Sequence, residues 1–250
     1  MKYLRLITLT LVASSMVPNF NVNSNEIKQQ EINEKAQIKL ISHEKEAPHK
    51  REIGPISAEV ALRYLINGNK RFTQKTLRKD GISKRDIASL SSGQKPHAIV
   101  LSCSDSRVPP EIVFDQKLGE IFVVRTAGQT LDSSAIASIE YAVSHLGSNL
   151  IVVMGHESCG AVKAALATLN GGDAGSPNLN KLVGDIHPRL ARFSRVPAST
   201  GVIAESWSNV EGVANDLAAR SEIIQKAMES GELKIEKALY HLSNGEVEWK

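Results

Sequence analysis

Three short runs of apolar, mostly β-branched residues constrain the fold of this chain more than any other feature. They occupy positions 97–102, 121–125 and 149–154, and none alternates between apolar and polar residues. Such runs are typical of strands buried on both faces of a parallel sheet. Positions 133–146 carry apolar residues at helical spacing and are followed by Gly147. Strand and helix alternate, which predicts an α/β fold with a mostly parallel central sheet flanked by helices.

The remaining sequence predicts further helices and an antiparallel edge of the sheet near position 250. Asn244-Gly245 lies between two short runs and is typical of a β-hairpin, so a C-terminal antiparallel edge hairpin is expected. Ser57 is a good N-cap for a first helix, which Gly68 is expected to end. Other helices are predicted at 161–169, 179–193 and 210–228.

The first 25 residues have the pattern of an export signal. Lys2 and Arg5 precede an apolar stretch at positions 6–17, which is too short for a comfortable membrane span. The protein is therefore expected to be exported, to the periplasm, and to be free of the membrane once residues 1–25 are removed. A misassigned start or an uncleaved surface segment is the alternative.

Composition divides the rest of the chain into two segments. Residues 26–54 are polar and predict a linker or N-terminal arm, whereas residues 55–250 are expected to form the folded domain. The whole chain is 42% hydrophobic and 23% charged, as in ordinary globular proteins. A formal net charge of +3 gives no indication of a nucleic-acid-binding protein.

The two cysteines of the chain lie where the predicted fold brings strand ends together. Cys103 follows the first strand, and His156 follows the third. Cys159 stands at the beginning of the next helix, where Ser158 is a candidate N-cap. If the two strands are neighbours, these side chains face one crevice and offer two thiolates and an imidazole to a catalytic zinc ion. In an exported chain the same cysteines also fit a disulfide.

Asp105 and Arg107 lie directly after the first cysteine and allow two interpretations. As an exposed ion pair they would contribute little to stability. Beside a zinc ligand, a bidentate contact from Arg107 would hold Asp105 ready to accept a proton from zinc-bound water. The same carboxylate could also move onto the metal as a fourth ligand and give an inactive state.

Several motifs together resemble one family, the β-class carbonic anhydrases. The motifs are Cys103-Ser-Asp-Ser-Arg-Val with a following Pro-Glu, Phe122-Val-Val-Arg, Glu140-Tyr-Ala-Val and Gly155-His-x-x-Cys-Gly-Ala-Val. The resemblance extends from about Leu65 to the terminal strands. The chain departs from the family pattern at Thr126 and Gln129, where asparagines are usual, and at Lys237, where glycine is usual.

The resemblance implies specific roles and an assembly. Cys103, His156 and Cys159 correspond to the zinc ligands, with one zinc per subunit, and Asp105 with Arg107 to the catalytic dyad. It also implies an α/β fold in homodimers or dimers of dimers.

The expected function is the zinc-dependent, reversible hydration of carbon dioxide to bicarbonate and a proton by zinc-bound hydroxide. Because two thiolates cancel the charge of zinc, activity is expected to rise into the alkaline range. The alternatives are hydrolysis of carbon disulfide or carbonyl sulfide, and a non-catalytic exported zinc-binding protein.

Overall fold

A computed structural model of the protein describes residues 56–250. The predicted export signal (1–25) and the predicted linker or arm (26–54) lie outside the described residues. Within the described part, no helix combines the length and the apolar character needed to cross a bilayer.

The described strands form one sheet whose order is β2-β1-β3-β4-β5. Their bounds are Ala98–Cys103 (β1), Ile121–Thr126 (β2), Leu150–His156 (β3), Lys234–Tyr240 (β4) and Val247–Trp249 (β5). The pairings of β1 with β2, β1 with β3 and β3 with β4 are parallel, and β5 runs antiparallel to β4. The predicted fold class, including the antiparallel edge at the C-terminal end, is confirmed.

The central strands explain why the apolar runs do not alternate. Every residue of β1 and β3 is buried. Ile99 and Leu101 of β1 belong to one hydrophobic cluster, whereas Ala98 and Val100 belong to another. Since successive side chains of a strand point to opposite faces, each central strand contributes apolar residues to both layers.

Helices cover both faces of the sheet. Their bounds are Ala58–Thr73 (α1), Lys84–Ser89 (α2), Pro110–Val113 (α3), Ser133–Leu146 (α4), Gly160–Thr168 (α5), Pro177–Leu190 (α6), Ile203–Arg220 (α7) and Glu222–Glu229 (α8). Apolar residues of α4, α7 and α8 belong to the cluster that contains Ile99, and those of α1, α5 and α6 belong to the cluster that contains Val100.

The predicted end of the first helix at Gly68 is wrong, because α1 continues to Thr73. Glycine is required at this position for a tertiary reason. A Cβ atom on Gly68 would lie 1.7 Å from the carbonyl oxygen of Phe114, at the end of α3. The missing side chain thus lets α1 pack closely against the chain that follows β1.

The predicted helix at 210–228 consists of two helices that meet at Ser221. The backbone of Ser221 is extended (φ −130°, ψ 108°), which interrupts the helical hydrogen bonding. Its hydroxyl then accepts a hydrogen bond from the backbone N–H of Ile224 and caps α8. The Asn244-Gly245 turn was predicted correctly, and Tyr240 pairs with Val247 across it.

Candidate metal centre

Two neighbouring strands and one helix bring the predicted ligands together. Cys103 is the last residue of β1, His156 is the last residue of β3, and Cys159 directly precedes α5. Their sulfur and nitrogen ligand atoms all lie within 4.8 Å of one another. All three side chains are buried. Among residues 56–250 this is the one group of three or more potential ligands with that geometry.

The orientation of His156 leaves one nitrogen for a metal ion. Its Nδ1 lies 2.8 Å from the backbone oxygen of Glu157. A carbonyl oxygen only accepts, so Nδ1 carries the proton and Nε2 keeps a free lone pair. Nε2 is buried and has no hydrogen-bond partner among the described residues. A buried acceptor without a donor, facing two cysteines, fits a metal ion such as zinc.

The two cysteines shift the pKa values of each other's thiols in opposite directions. A hydrogen bond from Cys159, together with contacts from His156 and the N–H of Gly128, lowers the pKa of the Cys103 thiol to about 4. The same interaction with Cys103 and burial raise the pKa of the Cys159 thiol far above its usual range. A bound dication would favour the thiolate form of both sulfurs.

The chain between His156 and α5 differs from the prediction. Ser158 does not cap the helix, since Cys159 occupies the N-cap position and no side chain there accepts a backbone hydrogen bond. Ser158 instead adopts a left-handed conformation (φ 56°), and its N–H donates to the carbonyl oxygen of Gly201 at 2.6 Å. This turn brings Cys159 back towards the strand ends.

Asp105 and Arg107 form a bidentate ion pair at the opening of the site. Arg107 Nε donates to Asp105 Oδ1 at 2.9 Å, and Nη2 donates to Oδ2 at 2.7 Å. These contacts hold the pKa of the Asp105 carboxyl well below its usual range. Oδ2 lies 3.8 Å from Nε2 of His156, so the carboxylate reaches the candidate ligands without joining them.

Sequence reasoning gave no role to Arg125, which holds the chain between the ligand and the dyad. Its Nε donates to the carbonyl oxygen of Cys103 at 3.0 Å, and its Nη2 donates to that of Asp105 at 2.6 Å. Arg125 ends the motif Phe122-Val-Val-Arg on β2, but its partners on the neighbouring strand are visible only in the structure.

The departures at Thr126 and Gln129 bracket a turn beside the site. Thr126 pairs with Cys103 in the sheet, and its hydroxyl donates to the carbonyl oxygen of Thr130 at 2.8 Å. Gln129 is buried in a left-handed conformation (φ 46°). Within the turn, the N–H of Gly128 donates to Cys103 Sγ at 3.3 Å. Lys237 pairs with Val153 on β3, away from the strand ends.

Fold and site together describe an α/β protein with a buried Cys-His-Cys centre and an ion-paired carboxylate beside it. The carbonic anhydrase family profile matches residues 98–247. A carbonic anhydrase of Mycolicibacterium smegmatis is 41% identical over 196 residues, which cover 78% of this chain and 92% of the relative.

Two solved structures share the fold. The β-carbonic anhydrase CcaA is 28% identical and has a TM-score of 0.61, with 75% of this chain and 94% of that chain covered. A structure of two tetrameric β-carbonic anhydrases from Sordaria macrospora is 22% identical with a TM-score of 0.60, and covers 76% of this chain and 96% of that chain.

This protein belongs to the β-class carbonic anhydrase family, as its motifs indicated. It is an enzyme that catalyses the reversible hydration of carbon dioxide. The comparisons do not favour hydrolysis of another heterocumulene or a non-catalytic zinc-binding protein.

Proposed function

We propose that Cys103, His156 and Cys159 hold one zinc ion per chain and that Asp105 and Arg107 act as the catalytic dyad of carbon dioxide hydration. The observation that carries this assignment is the buried, unpartnered Nε2 of His156 among two cysteine sulfurs. Bound zinc would supply a Lewis acid that activates water as a nucleophile. Two sulfur ligands and one nitrogen ligand, with a fourth position left open, suit a catalytic zinc site.

Asp105 is suited to orient a donor and to pass on a proton. Oδ1 accepts from both the backbone N–H and the Nε of Arg107, at 3.0 and 2.9 Å. Among residues 56–250, Oδ2 accepts only from Nη2 of Arg107, so it keeps a lone pair for a donor in the site. Because Arg107 depresses the pKa of Asp105, the carboxylate stays ionised, and a proton that it accepted would pass on to solvent.

Arg107 has a second role as a restraint on the carboxylate. The Asp105 side chain is 18% exposed and reaches to 3.8 Å from Nε2 of His156. A free carboxylate at this distance would be available as a fourth metal ligand. The bidentate contact keeps both oxygens directed at Arg107 and so leaves the open position to water.

The charge of the ligand set indicates how activity depends on pH. Two thiolates neutralise a zinc dication, whereas a site of three neutral histidines retains its full charge. A neutralised zinc would lower the pKa of a bound water less, so the hydration rate is expected to increase from neutral into alkaline pH. Acid is expected to favour the inactive state in which Asp105 is a metal ligand. A rate that is flat from mildly acidic to alkaline pH would contradict this assignment.

Metal analysis, a thiol count and stopped-flow hydration on one preparation test the proposal. We expect one zinc per chain, two free thiols after unfolding, and turnover that a chelator removes and zinc restores. Zinc without turnover would support a structural site, and a disulfide without metal would support the alternative pairing of Cys103 with Cys159.

We also propose that the enzyme is a homo-oligomer, a dimer or a dimer of dimers. Among the described residues, β2 pairs with β1 alone, so its other edge is open. Its residues are all partly exposed, and they include Phe122, Val123 and Val124. An open apolar edge strand favours pairing with another chain. Light scattering should give at least twice the mass of one chain, and Val123→Lys should reduce it.

Export of the protein remains a proposal based on residues 1–25. Mass spectrometry of the protein from the periplasmic and cytosolic fractions of cells that express it should find it in the periplasm with this segment removed. Retention of the complete N-terminus in the cytosolic fraction would contradict it.

A further inference from the structure

A buried asparagine is hydrogen-bonded to the same turn that contacts the Cys103 sulfur. Asn209 lies on α7 and is completely buried. Its Nδ2 donates to the carbonyl oxygen of Gly128 at 2.8 Å. The N–H of Gly128 in turn donates to Cys103 Sγ at 3.3 Å. Both polar groups of Gly128 are therefore engaged, one by Asn209 and the other by a candidate zinc ligand.

The conformation of Gly128 leaves little freedom for this turn. Its backbone is left-handed (φ 64°, ψ 24°), which glycine adopts without strain. A Cβ atom there would lie 2.9 Å from Cδ1 of Ile186 and 3.0 Å from Cβ of Ala161. Packing from α5 and α6 thus fixes one side of the turn, and the amide of Asn209 holds its carbonyl group.

Arg189 fixes the orientation of the Asn209 amide. Its Nη1 donates to Asn209 Oδ1 at 3.3 Å, so Nδ2 must face Gly128. Arg189 is itself held by Asp216, whose Oδ2 accepts from Nε at 3.0 Å and from Nη2 at 2.5 Å. Gly212 makes room for it, since a Cβ there would lie 2.5 Å from Arg189 Cδ.

We propose that Asn209 is a positioning residue that keeps the Gly128 N–H directed at Cys103 Sγ and thereby sets how strongly this thiolate donates to the metal. Arg189 supports it by fixing the amide. A hydrogen bond to a metal-bound sulfur withdraws electron density from it, and partners of this kind tune metal affinity and reactivity. This inference rests on the zinc site proposed above.

Asn209→Ala should release the Gly128 carbonyl and weaken the N–H···S contact. We expect zinc affinity to decrease about 10- to 100-fold, because the Cys103 sulfur loses a contact that holds it in place for the metal. In the Co(II)-substituted protein the thiolate-to-cobalt charge-transfer band should move to longer wavelength, because the sulfur becomes the stronger donor. The pH profile of hydration should move to higher pH for the same reason.

Ser206→Ala is the matched control. Ser206 lies on the same helix and is also buried, and its Oγ has no hydrogen-bond partner among residues 56–250. We expect this variant to keep the wild-type zinc dissociation constant and cobalt spectrum. If Asn209→Ala folds and matches the wild type in both measurements, the inference is overturned.

Arg189→Met keeps the inference testable if Asn209→Ala does not fold. It leaves the asparagine in place but removes the donor that orients the amide, so we expect the same spectral shift with smaller size. An unchanged spectrum and zinc affinity in folded Arg189→Met would then overturn the inference. Absence of a thiolate-to-cobalt band in the wild-type protein would instead contradict the proposed metal site itself.

Discussion

Oδ2 of Asp105 lies 3.8 Å from Nε2 of His156, too far for a hydrogen bond and close enough to share one small ligand. Both atoms are directed into the same space at the ends of β1 and β3. The imidazole nitrogen has no donor among the described residues, and the carboxylate oxygen retains a lone pair. A metal ion on the nitrogen and a water molecule beside the carboxylate would satisfy both.

Asp105→Asn should retain zinc and lose most hydration activity. An amide is nearly isosteric with the carboxylate but cannot accept a proton, so turnover should decrease by about 10²- to 10⁴-fold. Stopped-flow hydration and metal analysis on the same sample measure the two effects. Asp185→Asn, at an exposed position on α6, is the charge-matched control and should change neither value. Full activity in Asp105→Asn would show that the dyad accepts no proton.

Arg107→Ala should also inactivate the enzyme, but for a different reason. Without the guanidinium, the Asp105 carboxylate is free to reach the metal and occupy the position of water. The double variant Asp105→Asn, Arg107→Ala should therefore be no less active than Arg107→Ala alone. Hydration rates of both variants measure this non-additivity. Arg85→Ala, exposed on α2, controls for the lost charge. Additive losses would mean that Arg107 acts on the reaction independently of Asp105.

The ligands could be placed from the sequence because a residue at the carboxyl end of a parallel strand lies at the crevice where ligands bind. Uninterrupted apolar runs identified β1 and β3, and residues at the carboxyl ends of neighbouring parallel strands converge. Cys103 and His156 were assigned in this way. The fold class followed from the same alternation of strands and helices.

Other features of the site and of the fold had no local signal in the sequence. Asn209 is 81 residues from Gly128, and its contact depends on how α7 packs over the strand ends. Gly68 was predicted to end the first helix because glycine is common at helix ends. Its close approach to Phe114, which is the actual reason for a glycine here, involves a residue distant in sequence and gave no signal. At Ser221 a helix break occurs without glycine or proline, since the serine caps the next helix.

Gly68→Ala and Gly184→Ala should change stability in opposite directions. At Gly68 the new methyl group would lie 1.7 Å from a backbone oxygen, and such overpacking costs about 1–3 kcal/mol or more. At Gly184, within α6, the methyl group meets nothing within 4 Å, so better helix propensity should stabilise by about 0.5–1 kcal/mol. Urea unfolding measures both changes. Equal effects at the two positions would contradict the close contact of α1.

Asp115→Asn should destabilise the protein in a way that depends on pH. Asp115 is buried in a left-handed conformation (φ 46°) that asparagine also adopts, so the backbone is not disturbed. Its carboxylate contacts Arg71 Nε at 2.5 Å and Lys117 Nζ at 3.1 Å, and it accepts from the backbone N–H of Arg78. Removing the anion leaves these cations without their partner, at a cost of about 3 kcal/mol near neutral pH.

The pH dependence of this difference follows from the pKa of Asp115. Burial alone would raise that pKa, but the contacts from Arg71, Arg78 and Lys117 prevail and lower it. The stabilisation is therefore fully present above the unfolded-state pKa of about 3.9 and is lost as pH decreases through the folded-state pKa. Urea unfolding of wild type and Asp115→Asn between pH 7 and 3 should show a gap that is constant at first and then narrows below about pH 4. Asp185→Asn should show no gap, and a difference for Asp115→Asn that widens in acid would contradict the lowered pKa.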